Sequence, residues 1–259
     1  MNIVNNVVRK INVLVFGTLF LLATANAAIC CDNTLLELLT GSTPEASISA
    51  RLLVISSKMQ VTAGYARAFN NAAADKMHHE VMESWLYVAS QITSNPPGQA
   101  AGDPDFHAVI VQISRDLGSI RQKILQRQLD DVHDQLEVCV SRMSLLAAII
   151  NGHQRMRDFL RFELLVLTLR PCSRLFESRK VAIISSDFIL VLTSLDLPES
   201  LQVIEKIASL KSLYQTLSDR TYADQNCFNA VTQTAYLALY NEFSVLKKLL
   251  VAEKYFNLK

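Results

Sequence analysis

The sequence predicts an all-α protein: a multi-helix bundle or a short stack of antiparallel helical hairpins, preceded by a cleavable signal peptide. Three observations predict it. Glycine and proline are scarce, with 7 and 6 residues among 259, against about 18 and about 13 at average usage. Few breakers mean long uninterrupted elements and few tight turns, which disfavours many-stranded β architectures. Apolar residues then recur at alternating spacings of three and four, the narrow seam of helices that pack at a shallow angle. Half of the residues are hydrophobic and 19% are charged, so the chain carries enough apolar material for one sizeable core.

Residues 1–27 read as the signal peptide. Arg9 and Lys10 form a basic start, residues 13–23 (VLVFGTLFLLA) an apolar core of matching length, and Ala25-Asn26-Ala27 a small-x-small cleavage pattern. The apolar stretch is shorter than a membrane span requires. Cleavage after Ala27 would change the formal net charge from +1 to −1. A near-neutral chain shows no electrostatic footprint for nucleic acid or an anionic membrane surface. The expected partner is therefore another protein, with no stable membrane insertion after cleavage and a periplasmic or secreted location.

Residues 28–45 form the expected linker, with a short apolar piece at 35–39. Residues 46–259 form the expected all-helical domain. In its first hairpin-like unit, about 46–94, Ile48, Leu52, Ile55, Met59, Thr62 and Phe69 mark one helix. Val81, Trp85, Val88 and Ile92 mark its return. A Pro/Gly-rich loop follows, from Ser94 to Pro104. In the second unit, about 103–152, Ile113, Leu117, Ile120 and Ile124 face Val132, Leu136, Cys139, Met143, Leu146 and Ile150, and Gly152 supplies the stop. A divergent pair occupies 153–195: a helix closed by Pro171, then a Val/Ile-rich stretch that suits a buried helix or a strand. In the third unit, about 198–247, Pro198 starts a helix striped by Leu201, Ile204, Ile207, Leu210 and Leu213. Ala235, Leu239, Phe243, Leu246 and Leu250 mark the last helix.

Sliding the chain on itself aligns Val54-Ile55 with Val109-Ile110 and Val203-Ile204. The same ungapped frame aligns Asp75 with Asp130 and Asp224, and His78 with His133 and Cys227. Two readings of these tip residues stand. As caps, the aspartates would satisfy free backbone N–H groups at the start of each returning helix. As ligands, Asp75, His78, His133 and Cys227 would bind a divalent metal ion, because carboxylate, imidazole and thiolate all coordinate metals. Asp75, His78, His79, Glu80 and Glu83 are the densest such cluster. His79-Glu80-Val81-Met82-Glu83 matches the zinc-protease helix motif except at its last position, where Glu83 stands in place of the second His. His79 and Glu83, four apart, could still share an ion. Met59, Met77, Met82, His78, His107, His133 and His153 are possible haem ligands, but no spacing selects a pair.

The chain contains no Gly-x-Ser-x-Gly, no Cys-x-x-Cys and no phosphate-cradling glycine loop. Cys139 lies on a helical seam and reads as a core thiol. The other four cysteines, Cys30, Cys31, Cys172 and Cys227, fall outside that seam, and the expected disulfide joins Cys172 to Cys30 or Cys31. The composition points to an exported, non-catalytic helical protein with a binding, scaffold or structural role. The alternative is an exported metal- or cofactor-binding bundle that uses the tip residues.

Overall fold

One backbone device ends four of the helices. The residue after the last turn turns left-handed: Phe69 (φ 52°), Arg127 (φ 58°), Gly152 (φ 69°) and Lys254 (φ 57°). The next N–H then reaches back to a carbonyl five residues earlier, in Asn70→Tyr65, Gln128→Lys123, His153→Ala148 and Tyr255→Leu250 bonds of 2.9–3.0 Å. This closure satisfies carbonyls that a helix end leaves open and reverses the chain sharply.

The computed structural model describes residues 34–39, 44–98, 100–170, 187–223 and 230–256. Eight helices have both ends within these residues, which contain no strand: α1 (Thr34–Leu38), α2 (Pro44–Arg67), α3 (Asn71–Ser94), α4 (Pro104–Leu125), α5 (Val132–Ile150), α6 (Gln154–Thr168), α7 (Leu201–Ala223) and α8 (Ala230–Ala252). A further helical stretch covers 187–194. No helix among the described residues is long and apolar enough to cross a membrane. The expected signal segment, Cys30, Cys31, Cys172, Asp224 and Cys227 lie outside the described residues, and so does the expected disulfide.

Helices α2 to α5 run up, down, up and down. Each packs on the next, and α5 packs back on α2 to close a four-helix bundle. Helix α1 lies on α2 and α5, and α6 lies on the other side of α5. Helix α5 is therefore surrounded, and almost its whole length is buried, from Val132 and Leu136 to Ile149 and Ile150. The antiparallel pair α7–α8 joins this body through α8 on α6. Phe243 of α8 stands beside both Phe159 (5.6 Å) and Phe162 (5.7 Å) of α6, and Phe188 stacks on Tyr214 of α7 at 4.2 Å.

The predicted stripes of the central pair are all buried: Ile113, Leu117, Ile120 and Ile124 on α4, and Leu136, Cys139, Met143 and Leu146 on α5. Val81, Trp85, Val88 and Ile92 on α3 are buried too, and Trp85 Nε1 donates to Ser114 Oγ of α4 at 3.0 Å. Elsewhere the structure differs from the expectation. Phe69 is not on the core stripe. It is 73% exposed at the left-handed turn that ends α2. On α7 the buried stripe is Val203, Leu210, Tyr214 and Leu217, whereas Leu201 and Ile204 face solvent. Helix α7 starts at Leu201, after Ser200 whose hydroxyl accepts the Val203 N–H, rather than at Pro198. The apolar piece of the expected linker is core, with Leu35, Leu36 and Leu39 all buried.

The ungapped repeat frame places its aligned residues differently with respect to the helix starts and the core. Asp75 lies inside α3, whereas Asp130 precedes α5. Of the aligned dipeptides, Ile55 is buried with Val54 exposed, but Val203 is buried with Ile204 exposed.

Candidate functional site

A polar seam crosses the apolar interior where α5, α6 and α8 meet. Helix α5 supplies His133, Asp134, Glu137 and Ser141, because positions one turn apart share a face. Arg170, just beyond α6, reaches back to α5. Its guanidinium bridges Asp134 Oδ1 at 2.5 Å and Glu137 Oε2 at 2.7 Å. The same guanidinium stands over the Tyr236 and Tyr240 rings of α8, 5.6 and 5.9 Å from their centres. Tyr240 donates its hydroxyl to Glu137 Oε1. Two turns along α8, Lys247 Nζ lies 2.8 Å from Glu163 Oε1 of α6, and Ser141 donates to Glu163 Oε2 at 3.2 Å.

The seam shifts the proton affinities of its members. Burial pushes the Asp134 carboxyl up, but the His133 hydrogen bond and the Arg170 charge outweigh it and hold it below the usual carboxylate range. Burial alone would lower Arg170, yet Tyr236, Glu137 and Asp134 raise it above its ordinary value, so it stays charged. Burial pushes the Tyr236 and Tyr240 phenols up, Tyr240 further through Glu137. Both tyrosines are neutral at neutral pH, and Tyr240 is the one that donates to Glu137. His133 Nδ1 lies 3.0 Å from Asp134 Oδ1. An ionised carboxylate only accepts, so the ring places its Nδ1 proton there.

The structure separates the predicted site residues. His78 is fully buried on α3, and its Nε2–H donates to the Leu117 carbonyl of α4 at 2.9 Å. It is a packed core histidine, and burial holds it below the usual imidazole range. His79 and Glu83 pair at 3.3 Å on the exposed face of α3. Asp75 is not a cap: Asn70 caps α3, accepting the Ala73 N–H at 3.2 Å, because the left-handed Phe69 turn delivers Asn70 to that position. Asp130 does not cap either. Asp131 precedes α5 without a capping hydrogen bond, and its carboxylate takes Lys123 Nζ at 2.9 Å. Among the described residues, the one group of three His, Cys, Asp or Glu donors within 4.8 Å of one another is His133, Asp134 and Glu137. His133 was legible as a ligand type. Asp134, Glu137, Arg170, Tyr236 and Tyr240 carried no local pattern.

A second feature lies on the outside. Between α2 and α3 an open groove of about 520 Å³ is lined by Ala50, Arg51, Val54, Ile55, Glu83, Ser84, Tyr87 and Val88. Arg51 lies over the Tyr87 ring at 5.3 Å and donates to Gln91 Oε1 at 2.9 Å. Gln91 in turn donates to the Tyr87 hydroxyl at 2.9 Å. These contacts hold the Tyr87 ring as one wall of the groove.

No protein-family model, curated protein or solved structure matches the chain.

Proposed function

We propose that this is an exported, non-catalytic helical protein that binds another protein outside the cytoplasm through the α2–α3 groove. One observation carries the reading. Val54 and Tyr87, both large and apolar, are each 57% exposed and line the same concavity. Apolar residues gathered in a groove with a polar edge characterise protein-binding surfaces more than isolated exposed side chains do. The occupant that fits is a partner segment inserting one or two apolar side chains. Tyr87, steadied by Arg51 and Gln91, is the aromatic anchor. The shifted ionisable groups of the seam bind one another in the interior, which suits packing better than turnover. The basic start, the short apolar core and Ala25-Asn26-Ala27 support export.

A photo-cross-linking side chain at Val54, in the exporting cell, tests the reading. A discrete adduct should form outside the cytoplasm. The purified partner should then bind the wild type and lose at least tenfold in affinity for Tyr87→Glu, with unchanged circular dichroism. Equal affinity for Tyr87→Glu, or no adduct, would refute the groove. N-terminal sequencing should begin at Ala28, and an anchored full-length product would refute cleavage.

A further inference from the structure

The α2–α3 groove carries two opposite charges that do not meet within one chain. Arg51 on α2 turns to the neutral Tyr87 ring and to Gln91. Glu83 on α3 turns to His79 at 3.3 Å, with 68% of its side chain exposed. Both line the groove. A partner that fits brings an anion to the α2 side and a cation to the α3 side, with apolar groups between them.

The register of the two antiparallel helices places those groups. Arg51 lies beside Tyr87, and Lys58 lies beside Glu80 at 3.4 Å. In the same register Val54 stands level with Ser84, and Ile55 level with Glu83, all four lining the groove. Arg51 and Glu83 therefore sit on opposite sides of the groove and roughly 6 Å apart along it. A two-fold axis normal to the groove and midway between them exchanges its sides and its ends together. It sets Glu83 of the partner subunit over Arg51 and Val54 of the partner subunit over Tyr87, and each contact occurs twice. The groove is complementary to itself in charge and in apolar content.

The outer face of α2 suits the same occupant. Ala50, Val54, Ser57 and Val61 recur at spacings of four, three and four, all exposed and none charged. A helix in a soluble bundle ordinarily turns charged or polar residues to water on that side. The axis passes within one turn of the middle of α2 and of α3, each 24 residues long. Two such helices side by side offer a face of roughly 700 Å², and a stable complex buries about 800 Å² per partner.

We propose, resting on the groove as the binding surface, that its occupant is a second copy of this chain, related by that two-fold axis, with Arg51 of each copy against Glu83 of the other. Val54 and Tyr87 of the two copies form the apolar centre. The two ion pairs flank it and fix the direction in which the copies run.

Sedimentation velocity of the full mature chain tests this. Wild type should sediment as a dimer that dissociates on dilution. Arg51→Glu and Glu83→Arg each set like charges against one another at both contacts. Each should weaken the dimer at least tenfold, with unchanged circular dichroism. Mixing the two dissociated variants should restore a dimer, because every contact in the mixed pair again joins opposite charges. If Arg51→Glu fails to fold, Glu83→Arg should still dissociate, and Glu83→Gln should fall between it and wild type. A wild type that stays monomeric at every concentration, a Glu83→Arg dimer as tight as wild type, or a mixture of folded variants that stays monomeric would each overturn the second copy. The photo-cross-linker at Val54 separates this from failure of the groove itself. It should join two copies of the chain, through the peptide that contains Tyr87. An adduct with a different polypeptide, beside a monomeric wild type, would overturn the second copy and leave the groove standing, whereas no adduct would remove both.

Discussion

Lys247 Nζ meets Glu163 Oε1 at 2.8 Å, and both side chains lie inside the protein where α8 packs on α6. A buried ion pair contributes little net stability, because desolvating two charges offsets their attraction. Breaking it is costly, because the remaining charge is left in the interior. Lys247→Met should therefore lower the unfolding free energy by about 3–5 kcal/mol. The double variant Lys247→Met with Glu163→Leu should recover most of that loss. Urea denaturation of the two single variants and the double variant measures the coupling. Additive losses would show that the two charges do not depend on each other.

His78 should make the protein acid-sensitive. Burial disfavours its charged form and lowers its proton affinity below that of the unfolded chain. The unfolded state therefore binds a proton at higher pH than the native state does. Stability conferred by the neutral ring is complete above the unfolded value near 6.5 and falls as pH drops below it. The expected slope from this residue is at most about 1.4 kcal/mol per pH unit. His153, also lowered by burial, adds in the same direction. His78→Gln should lower stability at pH 7 and flatten the fall between pH 6.5 and 5. Chemical denaturation across that range checks the difference, and parallel wild-type and variant curves would remove His78 from the account.

The helical pairs were legible where one face alone decides the pattern. Ile113, Leu117 and Ile120 alternate cleanly because α4 buries a single stripe against α3 and α5. The reading failed where apolar residues also lie outside. Leu201 and Ile204 are apolar and in period yet exposed, whereas Leu210 of the same stripe is buried together with Val203, Tyr214 and Leu217, which lie one position to either side of it or beyond it. Phe69 fits the period of α2 but falls after its last turn, and periodicity carries no information about where a helix stops. The polar seam was illegible for a different reason. Glu137 meets Arg170 and Tyr240 across 33 and 103 residues, and only the packing of α5, α6 and α8 brings them together. His78 was legible as a histidine worth naming, but nothing in the local sequence shows that the Leu117 carbonyl would accept its N–H.

The thiol of Cys139 should be chemically silent in the folded protein. It is free, fully buried on α5 and one turn from Leu136, and burial pushes its pKa well above the usual thiol range. Thiolate, the reactive form, is therefore scarce and inaccessible. Alkylation with peptide mapping should leave Cys139 unmodified until the chain unfolds. Leu136→Ala, which opens a cavity beside it, should cost about 2–5 kcal/mol and speed Cys139 labelling about tenfold for each 1.4 kcal/mol of stability lost. Rapid labelling of the native wild type would show that α5 opens locally rather than with the whole bundle.

The left-handed turns offer a gain of stability. Phe69, Arg127, Gly152 and Lys254 occupy the same position after α2, α4, α5 and α8, yet only one of them is glycine. A side chain at positive φ brings Cβ against backbone, at a cost of roughly 1–2 kcal/mol per residue. Glycine avoids that contact but loses more freedom on folding. The two effects oppose each other, and the steric one is the larger at this angle. Arg127 is exposed, and its backbone N–H closes the turn on Ile124 at 3.0 Å without help from the side chain. Arg127→Gly should therefore stabilise the protein by about 0.5–1 kcal/mol. Gly152→Ala should destabilise it by a similar amount, since it introduces the strain that Arg127 already carries. Phe69→Gly gains the same relief and also removes an exposed ring. Its stability should rise while its tendency to associate at high concentration falls. Thermal unfolding of the three variants under one buffer gives the signs directly. A loss of stability in Arg127→Gly together with a gain in Gly152→Ala would mean that chain entropy, not the Cβ contact, decides these positions.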